Sequence, residues 1–301
     1  MEPANGLSPI PGTPTSLVKD PMVVAGLAVW VASILPSLAP VLSPDITLTW
    51  ADQYSDAPML ILVLLTAALQ VRRSPRQRER VFWRLVVGGI LGWLSVRGLY
   101  LLVPFEHWGT GLDLASDLLY LAGYLAMALA LERRPDQAAP RGPDERMERV
   151  ESIGTLIFSF GLLAYFILIP SVFNPQVYAS WVSSLLLYAV LDLYLLVRVL
   201  NILRTQPGAG WRRPYRWLSL TFAAWLVGDL TEGLMYLETI PFVFPGTPLD
   251  ILWHLPGLFL LLAIRQRSAD TEPSSASGSA WAIGGVALGG LDLAADEPDD
   301  F

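Results

Sequence analysis

Trp211-Arg-Arg-Pro-Tyr-Arg-Trp217 opens the stretch that decides the fold. It runs on through an apolar segment holding Asp229 and Glu232, a turn Pro241-Phe-Val-Phe-Pro-Gly-Thr-Pro-Leu-Asp250, a second apolar segment, and Arg265-Gln-Arg267. Both apolar segments approach the length of a membrane span. Arginines mark the same side of each, as the positive-inside rule expects of a cytoplasmic face. The turn's phenylalanines and prolines suit the opposite interface, where backbone leaves the helix. The stretch reads as one membrane helix going out and one coming back.

The same plan occurs earlier in the chain. Trp93-Leu-Ser-Val-Arg97 lines up with Trp225-Leu-Val-Gly-Asp229, and Gly109-Thr-Gly-Leu-Asp113 with Gly246-Thr-Pro-Leu-Asp250. Asp117-Leu-Leu-Tyr120 also matches Asp250-Ile-Leu-Trp253, in a different register. Both hairpins close on arginine, at Arg133-Arg134 and at Arg265-Gln-Arg267. Weak internal repeats of this kind are common in multipass membrane proteins.

Composition supports that class. The 301 residues are 53% hydrophobic and 16% charged, with a mean hydropathy of +0.47, whereas a soluble domain carries about 25% charge. The net charge of −7 is uneven. Acid gathers in the tail (Asp292, Asp296, Glu297, Asp299, Asp300) and outer turns, and arginine fills the inner loops, which argues against a nucleic-acid partner. Cysteine is absent, so disulfides, thiol catalysis and thiolate metal sites are excluded. With only His107 and His254, a three-histidine zinc site is excluded too. The single lysine, Lys19, precedes the first span, which removes a retinal Schiff base. Neither a cofactor nor a metal is implied.

The expected architecture is an all-α bundle of eight transmembrane helices in four hairpins. The spans fall at about 22–43, 57–71, 82–103, 113–131, 152–172, 178–200, 215–238 and 249–264, each near the roughly 20 apolar residues that cross a bilayer. Arginine follows the second, fourth, sixth and eighth spans, which places both termini in the cytoplasm beside an inner (plasma) membrane. Residues 1–20 and the Ser/Gly/Asp-rich tail 268–301 are expected to be disordered, flanking a membrane domain at 21–267. A short surface helix is expected at 144–151. Gly88-Gly89 and Gly92 give the third span a small-residue face for close helix packing.

Ionisable groups at membrane depth are expensive and are functional candidates. Four stand out: Arg97, Asp192, Asp229 and Glu232. Asp229 and Glu232 share a helix face, and Arg97 and Asp229 hold matching positions in the two hairpins. The expectation is that Arg97 pairs with Asp229 and Glu232, either as a structural ion pair or as a ligand or proton site. Asp192 is expected to pair with a neighbouring helix or with water. A second, outer-half cluster comprises Asp113, Asp117, Asp250 and His254. Asp113 and Asp250 read as N-caps of inward-running helices, and His254 as an interface residue. Trp50, Trp108, Tyr178 and Trp181 read as an aromatic belt.

The Gly-x-Gly-Asp of intramembrane aspartyl proteases, a Gly-x-Ser-x-Gly elbow and a Walker loop are all missing. After Leu226-Val-Gly-Asp229, the segment Gly246-Thr-Pro-Leu-Asp-Ile-Leu-Trp253 resembles the multipass membrane sensor regions found ahead of bacterial diguanylate cyclase and histidine kinase modules. The resemblance covers about residues 22–267. It implies a sensor-like or accessory signalling module in the lipid bilayer. Here Arg267 is followed by a 34-residue tail without a cyclase or phospho-acceptor signature. Output would then pass to a separate cytoplasmic signalling protein through the arginine loops. A small-molecule transporter using Arg97, Asp229 and Glu232, or an intramembrane lipid-modifying enzyme with Asp229 or Glu232 as base, are the alternatives.

Overall fold

Helix accounts for most of the described part of each apolar stretch in the computed structural model, which describes residues 17–42, 56–103, 109–137, 143–179, 181–208, 210–241 and 251–271. The helices are α1 (Pro21–Leu42), α2 (Ala57–Arg73), α3 (Gln77–Leu102), α4 (Thr110–Glu132), α5 (Pro143–Leu163), α6 (Ile169–Phe173), α7 (Pro175–Ala179), α8 (Val182–Arg204), α9 (Arg212–Tyr236) and α10 (Ile251–Thr271). A π-helical turn, Ala164–Leu168, makes α5 and α6 one continuous run. Pro170 lies just beyond it, where a missing N–H interrupts the regular ladder. No strand occurs among the described residues. Four runs are long and apolar enough to cross a membrane: Gln77–Leu102, Thr110–Glu132, Arg149–Phe173 and Val182–Arg204.

The tightest pairs are α3 with α4, and α9 with both α8 and α10; α2 packs on α3, and α10 closes back against α2 and α1. Glycine decides how closely α3 and α4 approach. A Cβ at Gly92 would lie 2.9 Å from the Leu119 carbonyl oxygen, and one at Gly123 would lie 2.8 Å from Trp93 Nε1. The small-residue face read from the sequence is therefore a contact surface.

The arginine-bearing helix termini meet at one end of the bundle, here called the basic end. Arg78 at the start of α3 donates to the carbonyls of Arg133 and Arg134 just past α4. Arg134 reaches Thr205 past α8 at 3.3 Å. Arg265 in α10 pairs with Asp20 ahead of α1 at 2.6 Å. Arg267 makes a two-pronged pair with Glu79 of α3, at 2.9 Å on each oxygen. Its guanidinium lies 4.9 Å from the Trp211 ring centroid. Phe82, Trp83 and Tyr215 pack in turn around Trp211, all four buried.

Outside, the polarity is that of a bundle facing hydrocarbon. Val24, Leu27, Val31 and Leu35 of α1 are exposed, as are Ile61, Leu65 and Leu69 of α2, and Leu186, Leu193, Val197 and Leu200 of α8. These positions recur at helical spacing, so each helix presents an apolar stripe outward. The run from Ile153 to Phe173 presents the most, including Ile157, Phe160, Tyr165, Val172 and Phe173.

Several local expectations are corrected. The expected surface helix at 144–151 is the first part of α5, continuous with the fifth apolar stretch. Residues 82–84 do not open the third helix: it begins at Gln77, so Glu79 and Arg80 are helical. The lead includes a 3₁₀ turn, Leu17–Lys19, and Asp20 Oδ1 accepts from the Met22 N–H at 2.9 Å, capping α1. Helix α10 extends to Thr271, past the expected start of the tail. Trp50, Trp108, Asp250, His107 and the chain beyond 271 lie outside the described residues.

Gly92→Leu should separate α3 from α4 and destabilise the protein by about 1–3 kcal/mol, the usual cost of overpacking. Gly98→Ala, on the same helix with nothing within 4 Å of the added Cβ, should be neutral or stabilising by up to about 1 kcal/mol. Thermal unfolding of the two variants in detergent checks the contrast.

Candidate functional site

Helices α4, α8 and α9 carry the polar interior. Asp117 of α4 is 1% exposed and accepts three hydroxyls: Tyr178 at 2.7 Å, Ser184 at 3.0 Å, and Tyr188. Ser184 and Tyr188 are one turn apart on α8, so both face α4. The Tyr188 ring stacks on Tyr124 at 5.9 Å and leans on Tyr120 at 5.2 Å. A buried carboxylate with three donors is fully served, which is how burying it becomes tolerable.

Two turns beyond Asp117 on α4, Tyr124 donates to Asp229 Oδ2 of α9 at 3.4 Å. Asp229 neighbours Asp192 of α8, close enough for the two carboxyl groups to act on each other electrostatically. Asp192 has no exposed surface, and Asp229 is 6% exposed. Trp93 and Trp225, each four residues before an ionisable residue of its helix, meet edge to face at 4.5 Å beside Tyr124.

Arg97 is not bound to Asp229, contrary to the expectation. It makes an ion pair with Asp56, at 2.7 Å from the terminal nitrogen and 3.1 Å from Nε. The reason lies in helix lengths. Asp56 and Arg97 stand 18 and 21 residues either side of the connection at 74–76, so antiparallel α2 and α3, rising about 1.5 Å per residue, bring them level. Glu232 stands within electrostatic reach of Arg97 without a hydrogen bond to it, and His254 of α10 lies near both Asp56 and Arg97. The four ionisable residues therefore divide into two sites, Arg97 with Glu232 nearby and Asp192 with Asp229.

The outer cluster is also redistributed. His254 is buried, not interfacial. Asp113 sits within the first turn of α4, whose N-cap is Gly109, and is half-buried one turn from Asp117. Tyr178 is buried against Asp117, so it is no belt residue.

At the basic end the same helices are joined again. Glu132, the last residue of α4, receives Arg198 and Tyr194 of α8, the latter at 3.1 Å. Arg198 also reaches Glu151 of α5 at 3.3 Å. A crevice of about 310 Å³ lies among Glu132, Glu151, Thr155, Tyr194, Arg198 and Asn201. Nearby, Asp136 accepts Arg134 at 2.8 and 3.0 Å, Tyr215 at 2.8 Å, and the Gly208 N–H at 3.4 Å. A side chain at Gly208 would meet the Asp136 carbonyl at 2.7 Å. Burial alone would raise the Asp136 carboxyl, but the Arg134 guanidinium, the Tyr215 hydroxyl and the Gly208 N–H outweigh it and hold it below its ordinary value. Among the described residues no group of three or more His, Asp or Glu is arranged to hold a metal.

Sequence reasoning missed Asp56, Glu79, Glu132 and Asp136 because each sits at a helix end that reads as loop. Counting residues from each turn would have found Asp56. The tyrosine donors carry no sequence signal beyond their helical spacing. Comparison with known protein families, curated proteins and solved structures returns no match to this chain.

Two outcomes test this geometry. Glu79→Ala should cost about 3–5 kcal/mol by stranding a buried guanidinium, whereas the double substitution Glu79→Leu with Arg267→Met should cost less. Unfolding in detergent measures both. Asp136, held low in the folded state, contributes stability that is fully present above about pH 4, its ordinary range, and is lost as pH falls through its folded value. Asp136→Asn should therefore be less stable at neutral pH and flatter in an acid titration of melting temperature.

Proposed function

We propose that the chain is an eight-span integral membrane protein of the inner (plasma) membrane, with both termini in the cytoplasm, that works as a sensor-like signalling module. The outward apolar stripes and inward carboxyls support the membrane placement. The gathering of arginine at one end supports the orientation. The sensor reading is carried by one observation: α4 and α8 are tied by polar contacts at both ends, through Asp117 with Ser184 and Tyr188, and through Glu132 with Tyr194 and Arg198. A change at the Asp117 end therefore has a rigid route to the basic end. There the arginine loops would present it to a cytoplasmic partner, as the resemblance to membrane sensor regions implies.

The test places spin labels at Val150 and Arg204, exposed residues of α5 and α8 near the basic end. Asp117→Asn should shift or broaden the distance between them in nanodiscs. An unchanged distance distribution in a folded variant would remove the relay.

Transport is the second reading, favoured by the carboxyls Asp192 and Asp229 buried between α8 and α9. Proteoliposomes settle it: substrate-dependent flux that is abolished by Asp229→Asn would replace signalling with transport, and the sensor reading expects none.

A further inference from the structure

We propose that Asp192 and Asp229 bind a single proton between them, making the α8–α9 contact a proton site inside the bundle. The inference follows from counting donors. Both oxygens of Asp192 are wholly buried and neither takes a hydrogen bond from a protein donor. Tyr124 lies beside both carboxyls, but a phenol has one proton to donate, and it points to Asp229 Oδ2. The groups acting on the pair are each other, Tyr124 of α4, and Glu232 less than a turn along α9. No cation is among them. Arg97 gives its guanidinium to Asp56, and Tyr188, one turn back on α8, gives its hydroxyl to Asp117.

Two bare carboxylates side by side, without a counter-charge, repel each other, and Asp192 lacks a donor. One proton cures both faults. Carried on Asp192 and donated to Asp229, it supplies the missing hydrogen bond and leaves one negative charge, shared and also served by Tyr124. The ligand class is thus a proton. Its arrival or departure changes the net charge between two helices that pack closely along their length. The inference takes from the proposed function only the placement of α8 and α9 in the bilayer. Coupling between the ends of the bundle plays no part in it, so the two can fail separately.

Infrared spectroscopy of the protein in lipid nanodiscs at neutral pH is the test. Wild type should show the carbonyl stretch of a protonated carboxylic acid, shifted by deuterium exchange. The band should be lost in Asp192→Asn and in Asp229→Asn, and retained in Asp117→Asn. An asparagine amide can donate where the proton did, so these variants should fold. Should either fail to fold, solid-state NMR of aspartate-labelled wild type reads the same quantity, with a protonated aspartate carboxyl expected. Absence of any protonated carboxyl, a band that survives both substitutions, or a requirement for sodium in place of the proton would each overturn the proposal.

Discussion

The ion pair between Glu79 and Arg267 closes the bundle. It joins the first turn of α3 to the end of α10, helices that lie almost two hundred residues apart in sequence. Helix α10 in turn packs on α1, α2 and α9, so the pair fixes where the chain's last described helix returns to its beginning. The energetics of such a pair are one-sided. Two charges brought out of water gain little net stability over a hydrophobic pair, but a single charge left behind is costly. Both oxygens of Glu79 are met by one guanidinium, whose face is covered by Trp211. That geometry makes burial tolerable and specifies a unique register between α3 and α10.

The same constraint governs the interior at other depths. Apolar stripes face outward, and charges turn inward toward partners on other helices. Asp117 collects three hydroxyls, Arg97 takes Asp56, and Glu132 takes Arg198 and Tyr194. Each contact joins different helices, so the polar groups determine which helices are neighbours, a task apolar packing does with less specificity. Asp192 departs from this pattern: both its oxygens are buried without a protein donor, and its neighbour Asp229 brings none. That departure is what the proposed shared proton answers.

Much of the fold was readable from the residues. Hydropathy announced an all-helical chain, of which four runs are long and apolar enough to cross a membrane, and the glycines at 88, 89 and 92 announced a close helix contact, which is made with α4. Trp93 and Trp225 meet in space, a contact that the sequence alignment of their segments did not announce. The site was less readable. Arg97 was assigned to Asp229 by pseudo-symmetry alone, which says nothing about which neighbour is nearer once antiparallel α2 brings Asp56 level. Tyr178 was assigned to the interface because tyrosines near span ends usually lie there. Its burial depends on α7, a short helix that hydropathy cannot announce. Asp192 and Asp229 were singled out by their cost at membrane depth, but their adjacency depends on how α8 and α9 pack, which one sequence does not encode in any local pattern.

The central claim is that this bundle crosses a membrane with its basic end in the cytoplasm. The absence of cysteine makes that directly measurable, since single cysteines report without background. Asn174→Cys and Thr239→Cys, at exposed positions away from the basic end, should react with a membrane-impermeant maleimide in intact cells. Arg76→Cys and Arg204→Cys, exposed at the basic end, should react only after lysis. Labelling of the two arginine positions from outside intact cells would contradict the account, as would recovery of all four proteins in the soluble fraction.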